Sequence, residues 1–246
     1  MNPSERIKLQ PCWVLHRRDF RDSSQIVDVI SRDHGRVAMV ARGVKRPKSR
    51  HRGLLQPFSP LLISWVAGRE LATMSDVEQG GSALQLGQDA LMCGFYANEL
   101  LLKMTHRFDP QPEVFELYTA VIDRLSGTEQ VAIALREFEW QFLNQIGFGL
   151  NLLYEVESGQ EIEDTASYHL IVDQGPVLTD ATEWSGAVYA GHCLRAIANN
   201  DWRDPATLVA ARRILGAAID LQLDGKPLHS RRILREMYRR QADPRE

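Results

Sequence analysis

The hydrophobic period of the chain changes at Gly80 and Gly81, and this change constrains the fold more than any other feature. Up to that point, short β-branched or apolar runs are separated by turn residues, and no helical spacing interrupts them. The candidate strands are residues 10–16, 24–30, 36–40, 57–66 and 70–77. Five short strands in this length predict a closed barrel, and the OB-fold is the commonest five-stranded barrel of such a size.

Beyond the two glycines, apolar residues recur at helical spacing. The predicted helices cover residues 84–105, 113–125, 128–146, 187–198, 205–221 and 231–240. The expected architecture is α+β: an N-terminal five-stranded OB-fold barrel over residues 1–80, followed by a mostly α-helical domain over residues 81–246. Residues 150–182 are acidic and polar, so the helical domain should carry an acidic loop or hairpin there.

The composition is that of an ordinary globular protein, with 44% apolar and 25% charged residues among 246. No run approaches the roughly 20 apolar residues that span a bilayer. The N-terminus also lacks the apolar core of a secretory signal, so we expect a cytoplasmic protein without a membrane partner.

The cysteines are far apart and form no CxxC pair, which predicts no disulfide, no metal and no cofactor. They are Cys12, Cys93 and Cys193.

Charge is distributed unevenly, although the net charge is only −3. Residues 1–80 hold 14 Lys/Arg against 8 Asp/Glu, a net of +6. Residues 81–225 hold 8 against 21, a net of −13, and residues 226–246 hold 7 against 3, a net of +4. Basic ends around an acidic middle favour a polyanionic partner for the ends. The ends would form one basic face if the fold brings them together.

The sharpest local feature is RGVKRPKSRHR, residues 42–52, in which six of eleven residues are Lys or Arg and none is acidic. Its glycine and proline indicate a mobile loop rather than a helix. Such a loop beside a barrel groove suits phosphate contacts along a nucleic-acid strand, and a solvated charge run is the alternative. The candidate DNA-binding residues of the barrel are Arg17, Arg36, Arg42, Lys45, Arg46, Lys48, Arg50 and Arg52.

Aromatic residues of the predicted barrel offer a second means of binding a nucleic-acid strand, because bases stack on aromatic rings. The four are Trp13, Phe20, Phe58 and Trp65. The alternative is a place in the core, which the apolar run around Trp65 favours.

The C-terminal segment predicts a helix with an apolar stripe and with arginines on another face. It comprises residues 230–240, SRRILREMYRR. Ser230 is suited to cap it. Two interpretations remain possible. The helix is solvated and its arginines complement the helix dipole, or the arginines make a second contact to DNA. The candidate contacts are Arg231, Arg232, Arg235 and Arg239.

The helix expected at 128–146 is apolar on two sides, and Arg136 lies beside the second of them with Trp140 and Leu143. Such a helix is buried between layers or offers one side to a partner, and the sequence alone favours burial. An arginine beside exposed apolar surface would suit a peptide that ends in an aromatic residue and a free carboxylate.

Catalytic motifs are weak. The chain has no P-loop, GxSxG, HExxH or Rossmann glycine pattern, and its seven histidines show no ligand spacing. The carboxylates of residues 155–164 have the pattern of a solvated acidic loop. We therefore expect a binding protein rather than an enzyme. An RNA-binding OB protein and a carboxylate-dependent enzyme of the helical domain are the alternatives.

Three stretches, in order and at fitting distances, resemble the RecO family of recombination mediators. The N-terminal half of that family is similar to VLHRRDFRDSSQIVDVISRDHGRVAMVARGVKRPKSRHRGLLQPFSPLLISW. Its central helix with the following glycines is similar to ALREFEWQFLNQIGFGLNL, and its closing motif to GKPLHSRRILREMYRR. Between residues 155 and 225 the match is poor.

The resemblance implies an N-terminal OB-fold, a helical C-terminal domain, and binding of both single- and double-stranded DNA. It also implies strand annealing and work with RecR to load RecA onto DNA coated by single-stranded DNA-binding protein (SSB). A nucleoid-associated location follows from these roles.

The resemblance further implies that the helical domain binds the acidic C-terminal tail of SSB. Arg136, in the ALREFE match, is the residue carried over for that site. Trp140 and Leu143 lie one and two turns further along the same helix face, and Tyr118 is added because its helix precedes this one. Some family members hold zinc through cysteines after the central glycines. The corresponding LLYEVESGQEIE has no cysteine, which agrees with the expected absence of zinc.

Overall fold

The computed structural model describes residues 4–127, 130–180, 184–233 and 236. It divides into two compact units, Met1–Thr128 with Leu228–Glu246, and Glu129–Pro227. We call the first the barrel unit and the second the acidic unit. By sequence, the barrel unit holds 23 Lys/Arg and 17 Asp/Glu, a net of +6, whereas the acidic unit holds 6 and 15, a net of −9. Both basic ends of the chain therefore belong to one unit.

The barrel unit begins with five strands that close into a barrel in the order β1-β2-β3-β5-β4. The strands are β1 Arg6–Phe20, β2 Ser24–Ser31, β3 Gly35–Ala41, β4 Leu61–Val66 and β5 Ala72–Gln79. All neighbours are antiparallel except β3 and β5, which run parallel. This confirms the fold class predicted from the sequence, a five-stranded OB-type barrel followed by a mostly helical region.

Strand β1 is longer than the sequence pattern indicated, because it pairs with β2 along one part and with β4 along another. Its register shifts between Val14 and His16, as at a β-bulge, and bulges bend a strand around a barrel. Strand β4 is shorter than predicted. Pro57 and Pro60 precede it, and proline removes the N–H that a ladder needs.

Two helices follow the strands within the barrel unit, before residue 128: α1 Gln88–Met104 and α2 Pro112–Ser126. The Asn98 amide on α1 donates to the Leu15 carbonyl of β1, and the Trp13 indole donates to the Thr119 hydroxyl of α2. The barrel strands end at Gln79, close to the predicted change of period, while the compact unit continues through these helices. Helix α1 begins four residues later than predicted, and the Leu84 amide donates instead to the Phe58 carbonyl.

The described residues of the acidic unit, 130–180 and 184–227, form three helices and a small sheet. The helices are α3 Val131–Gln145, α4 Gly191–Ala198 and α5 Pro205–Gln222. The strands are β6 Ser167–Ile171, β7 Gly175–Leu178 and β8 Tyr189–Ala190, in the order β7-β6-β8. The β6–β7 pair is an antiparallel hairpin inside the acidic segment where one was expected. Among the described helices, none combines the length and the apolar character that a bilayer crossing requires.

Candidate nucleic-acid interface

The basic segment lies in the loop between β3 and β4, and this loop is folded rather than extended. Amide groups of Arg46, Ser49 and Arg52 each donate to the carbonyl three residues earlier, which makes a run of consecutive turns. Val44 and Leu55 fix the loop at both ends, since their side chains are buried in the barrel core. The segment is a loop rather than a helix, as predicted, and its basic side chains project from a run of hydrogen-bonded turns.

All six basic side chains of this loop are exposed. They are Arg42, Lys45, Arg46, Lys48, Arg50 and Arg52. Two have acidic partners: the Lys45 amine lies 2.6 Å from an Asp19 oxygen, and an Arg50 nitrogen lies 2.9 Å from an Asp76 oxygen. The Lys45 hydrogen bond lowers the pKa of Asp19. Within the described residues, the other four make no ion pair. Unpaired exposed cations attract phosphates without first breaking an internal pair.

Hydrogen bonds join this loop to the neighbouring β1–β2 turn. The Lys45 amide donates to the Ser23 carbonyl, and the Gly43 amide donates to the Ser24 hydroxyl. The exposed Arg17 side chain, on the end of β1, donates to the Leu55 carbonyl at 3.2 Å. Arg17 and the six loop cations thus share one end of the barrel. We call these seven residues the basic surface.

Arg36 does not belong to this surface, contrary to the sequence-based prediction. Its side chain is only 14% exposed and donates to the Thr105 carbonyl at the end of α1. It faces Asp28 at 3.8 Å, and Arg107 faces the same carboxylate at 3.6 Å. Burial lowers the pKa of Arg36, an effect that Asp28 opposes. Its role is to hold the barrel against the end of α1.

Most of the aromatic residues of the barrel lie in the core and are not available for base stacking. Trp13, Phe58 and Trp65 are buried, so stacking of bases on them is excluded in this conformation. Phe20 is the exception, because it is half-buried at the end of β1 and the Arg21 guanidinium lies over its ring at 5.1 Å. Phe20 is therefore the one aromatic of the four whose ring is partly exposed, and it lies at the end of β1 that leads into the β1–β2 turn.

The C-terminal basic segment begins with a helical turn at residues 229–233, and Glu99 of α1 caps it. The Glu99 carboxylate accepts from the amides of His229 and Ser230 at 2.9 Å and from the Ser230 hydroxyl at 2.7 Å. The sequence predicted that Ser230 caps this helix. In the structure the cap is the carboxylate of Glu99, which is remote in sequence. No local pattern pointed to Glu99, because its partners are far along the chain.

The basic residues of this segment differ in availability. Arg231 donates to the Tyr96 hydroxyl at 3.0 Å and lies over its ring, so it anchors the segment on α1. Arg232 is 71% exposed and lies 3.9 Å from Glu236. Arg235 and Arg239, also predicted to contact DNA, lie outside the described residues.

The predicted tail-binding residues are largely covered. Arg136 on α3 is 12% exposed and pairs at 2.7 Å with the buried Glu139 one turn on. Trp140 is buried and Leu143 is fully buried. Tyr118 is fully buried in the barrel unit, where its hydroxyl donates to Asn98 at 2.6 Å. Neither Leu143 nor Tyr118 presents surface to a peptide, which leaves Arg136 and the edge of Trp140 as candidates.

One carboxylate of the acidic segment has a clear structural role. Glu155 is buried, and its oxygens accept from the amides of Ser158 and Leu178. Hydrogen bonds from Ser158 lower its pKa. Glu155 thus ties the loop after α3 to strand β7 rather than lying free in a solvated loop.

Family comparisons agree with this arrangement. Residues 6–82 match the family model described as Recombination protein O N terminal, and residues 88–232 match the model described as Recombination protein O C terminal. The DNA repair protein RecO of Azoarcus sp. (strain BH72) is 41% identical over 241 residues, which cover 96% of this chain and 99% of that protein. The DNA repair protein RecO of Aromatoleum aromaticum is 39% identical over 238 residues, covering 96% and 99%.

Proposed function

The chain belongs to the RecO family of DNA repair proteins, and from this premise we propose that it is a DNA-binding recombination mediator that contacts DNA through the basic surface. The observation that carries the proposal is the set of exposed cations at one end of the barrel. Four of the six loop cations have no ion pair among the described residues. OB barrels bind single strands in a groove bordered by such loops. The partly exposed Phe20, next to the β1–β2 turn that the basic loop contacts, adds a ring on which a base stacks.

The charge of the two units supports a division of roles. The barrel unit has a net charge of +6 and attracts the phosphate backbone, whereas the acidic unit, at −9, repels it. We place both single- and double-stranded DNA on the barrel unit, with the C-terminal segment as a second contact through Arg232. Arg231 instead holds that segment on Tyr96.

The partners proposed for the family role are RecR and SSB. In this role the protein anneals complementary strands and, with RecR, helps to load RecA onto SSB-coated DNA. The SSB tail is proposed to bind at Arg136, because a guanidinium can hold a terminal carboxylate through two hydrogen bonds. The covered state of Arg136 means that the tail must compete with Glu139 for it. We propose no catalytic step for this protein.

A variant that neutralises unpaired cations tests the DNA-binding proposal. In Arg46→Gln/Lys48→Gln/Arg52→Gln, the affinity for single-stranded DNA should fall for every sequence. The slope of log affinity against log salt should become shallower by about 0.7 for each phosphate that the variant no longer neutralises. Arg69→Gln is the matched control, since Arg69 is exposed but lies in the β4–β5 connection, at the other end of β4 from the basic loop. An unchanged slope in the triple variant would show that DNA binds elsewhere.

Annealing of complementary strands coated by SSB measures the proposed function itself. The triple variant should anneal them more slowly than the wild type, and Arg69→Gln should not. A single-stranded RNA of the same sequence, used as competitor, distinguishes the RNA-binding alternative. If RNA displaces DNA at equal or lower concentration, the protein is better described as an RNA-binding OB protein.

A further inference from the structure

Three side chains that can hold a metal meet in the acidic unit. They are His192 and Cys193, in the first turn of α4, and Asp204, at the start of α5. Their ligand atoms all lie within 4.8 Å of one another. The Cys193 sulfur is 3.4 Å from His192 Nε2, and that nitrogen is 3.7 Å from an Asp204 oxygen. The sequence did not reveal this group, because the spacing of His-Cys and a later Asp matches no familiar ligand motif.

The backbone around these residues is well fixed. The His192 amide donates to the Asp164 carbonyl, and the preceding Gly191 amide donates to the Ala166 carbonyl, so the first turn of α4 is held against the segment before β6. Asp204 is the N-cap of α5, and its Oδ1 accepts from the Ala206 amide at 2.9 Å. This hydrogen bond occupies one carboxylate oxygen and turns Oδ2 toward His192.

Two of the three distances between donor atoms match those of a tetrahedral ion, and the third, between the Cys193 sulfur and the Asp204 carboxylate, is within 4.8 Å. Bonds of about 2.3 Å to sulfur and about 2.1 Å to nitrogen or oxygen, at tetrahedral angles, place sulfur and nitrogen about 3.6 Å apart and nitrogen and oxygen about 3.4 Å apart. The observed 3.4 and 3.7 Å depart from these values by a few tenths of an ångström or less. Rotation of the exposed His192 and Asp204 side chains, which are 52% and 47% exposed, covers that difference.

We propose that His192, Cys193 and Asp204 form a binding site for Zn²⁺ that links the start of α4 to the start of α5. Thiolate, imidazole and carboxylate are the three donor types that Zn²⁺ uses in proteins. A thiolate and a carboxylate carry two negative charges, which balance those of the ion. The fourth position faces solvent and takes a water molecule. Binding forms a Zn–S bond and releases the thiol proton to solvent.

This site differs from a zinc site built on cysteines after the central glycines. The segment LLYEVESGQEIE at that place contains no cysteine, and its Glu155 is occupied by backbone amides. Zinc bound here would stabilise the acidic unit by joining two helices that are otherwise connected by residues 199–204.

Cobalt(II) is the probe for this site, because Co²⁺ takes the same tetrahedral geometry and a thiolate ligand produces an intense near-ultraviolet charge-transfer absorption. The full-length protein, freed of metal with a chelator, is titrated with Co²⁺. We expect the charge-transfer band and visible tetrahedral bands to saturate at one ion per chain, and Zn²⁺ to abolish both. Zn²⁺ should also raise the melting temperature of the wild type.

Three variants and one control identify the ligands. Cys193→Ser should lose the charge-transfer band. His192→Asn and Asp204→Asn should weaken Co²⁺ binding about tenfold or more. Asp204→Asn keeps the helix cap, since asparagine caps as well as aspartate, and His192 is exposed, so these two variants test the site even if Cys193→Ser fails to fold. Cys93→Ala, a buried cysteine of α1, should keep the band. Absence of the band in the wild type, or its persistence in Cys193→Ser, would overturn the proposal, as would unchanged affinity in both surface variants.

Discussion

Glu99 caps the helical turn that contains Ser230, 131 positions further along the chain. Its carboxylate accepts three hydrogen bonds from residues 229 and 230 and also pairs with Lys103 at 3.0 Å. A carboxylate at a helix N-terminus satisfies amides that have no partner within the helix and interacts favourably with the helix dipole. This contact returns the basic C-terminal segment to the unit that carries the basic surface.

Glu99→Gln should detach the C-terminal segment from α1. An amide replaces a carboxylate that accepts three hydrogen bonds, so the free energy of unfolding of the barrel unit should fall by about 1.5–3 kcal/mol. Urea unfolding measures the loss, and hydrogen exchange at residues 229 and 230 should accelerate most. Glu116→Gln, an exposed glutamate on α2, is the control and should change stability by less than about 0.5 kcal/mol.

The same contact predicts a pH dependence. Although burial opposes ionisation, the hydrogen bonds from Ser230 and His229 and the pairing with Lys103 lower the pKa of Glu99 from 4.5 to about 2. A lowered pKa in the folded state means that the stabilisation is complete above pH 4.5 and is lost as the pH falls toward 2. The stability difference between wild type and Glu99→Gln should therefore shrink over that range. A difference that stays constant down to about pH 3 would contradict a role for the ionised carboxylate.

Arg136→Ala should destabilise the acidic unit. The substitution removes the cation that pairs at 2.7 Å with Glu139, which is only 1% exposed, and breaking a buried pair costs about 3 kcal/mol or more. In the double variant Arg136→Met/Glu139→Gln, both charges of the pair are removed together, so most of the stability should return. Thermal unfolding of the three proteins measures this difference.

The double variant also tests the SSB-tail proposal without the complication of unfolding. If Arg136 holds the tail carboxylate, binding of a tail peptide should weaken by about 1.5–3 kcal/mol, while binding to naked DNA stays the same. Titration of a fluorescent tail peptide measures the affinity. A double variant that is folded and binds the peptide like wild type would place the tail site elsewhere.

Asp28→Asn should destabilise the barrel, because Asp28 is the carboxylate that faces both Arg36 and Arg107. Arg36 is mostly buried, and its charge would lose its nearest counterion, at a cost of about 3 kcal/mol. The control is Asp33→Asn, which breaks the surface pair between Asp33 and Arg32 and should cost less than about 1 kcal/mol. Equal losses in the two variants, measured by urea unfolding, would show that the Asp28 cluster is as weak as a surface pair.

Gly35→Ala should be far more costly than Gly53→Ala, although both glycines have positive φ. A methyl group on Gly35 would lie 1.9 Å from the Asp109 carbonyl oxygen, whereas one on Gly53 meets nothing within 4 Å. Gly53→Ala should therefore cost only the left-handed backbone penalty, about 1–2 kcal/mol. Gly35→Ala adds a backbone clash and should lower the free energy of unfolding by about 2–5 kcal/mol. Similar losses of unfolding free energy in the two variants would mean that the Asp109 backbone shifts away from the added methyl group at little cost.

Features that depend on local pattern could be predicted without the structure. The two-residue period of the strands, the Asp33-His34-Gly35 turn, the helical spacing after Gly81 and the uninterrupted charge of residues 42–52 are all properties of neighbouring residues. Local periodicity and turn chemistry decide such elements, so the barrel, five of the helices and the basic loop could be predicted. The ordered motifs at both ends and in the centre were specific enough to indicate the family.

Tertiary structure alone decided which of these residues are available and which meet. Arg36 has the same charge as its neighbours in the loop, yet packing turns it onto Asp28 and the end of α1. Leu143 and Tyr118 were assigned to a pocket and are fully buried. Glu99 with Ser230, and Cys193 with Asp204, are brought together by helix packing, which no sequence period encodes. Burial and long-range contact depend on how whole elements pack, so only the folded chain fixes them.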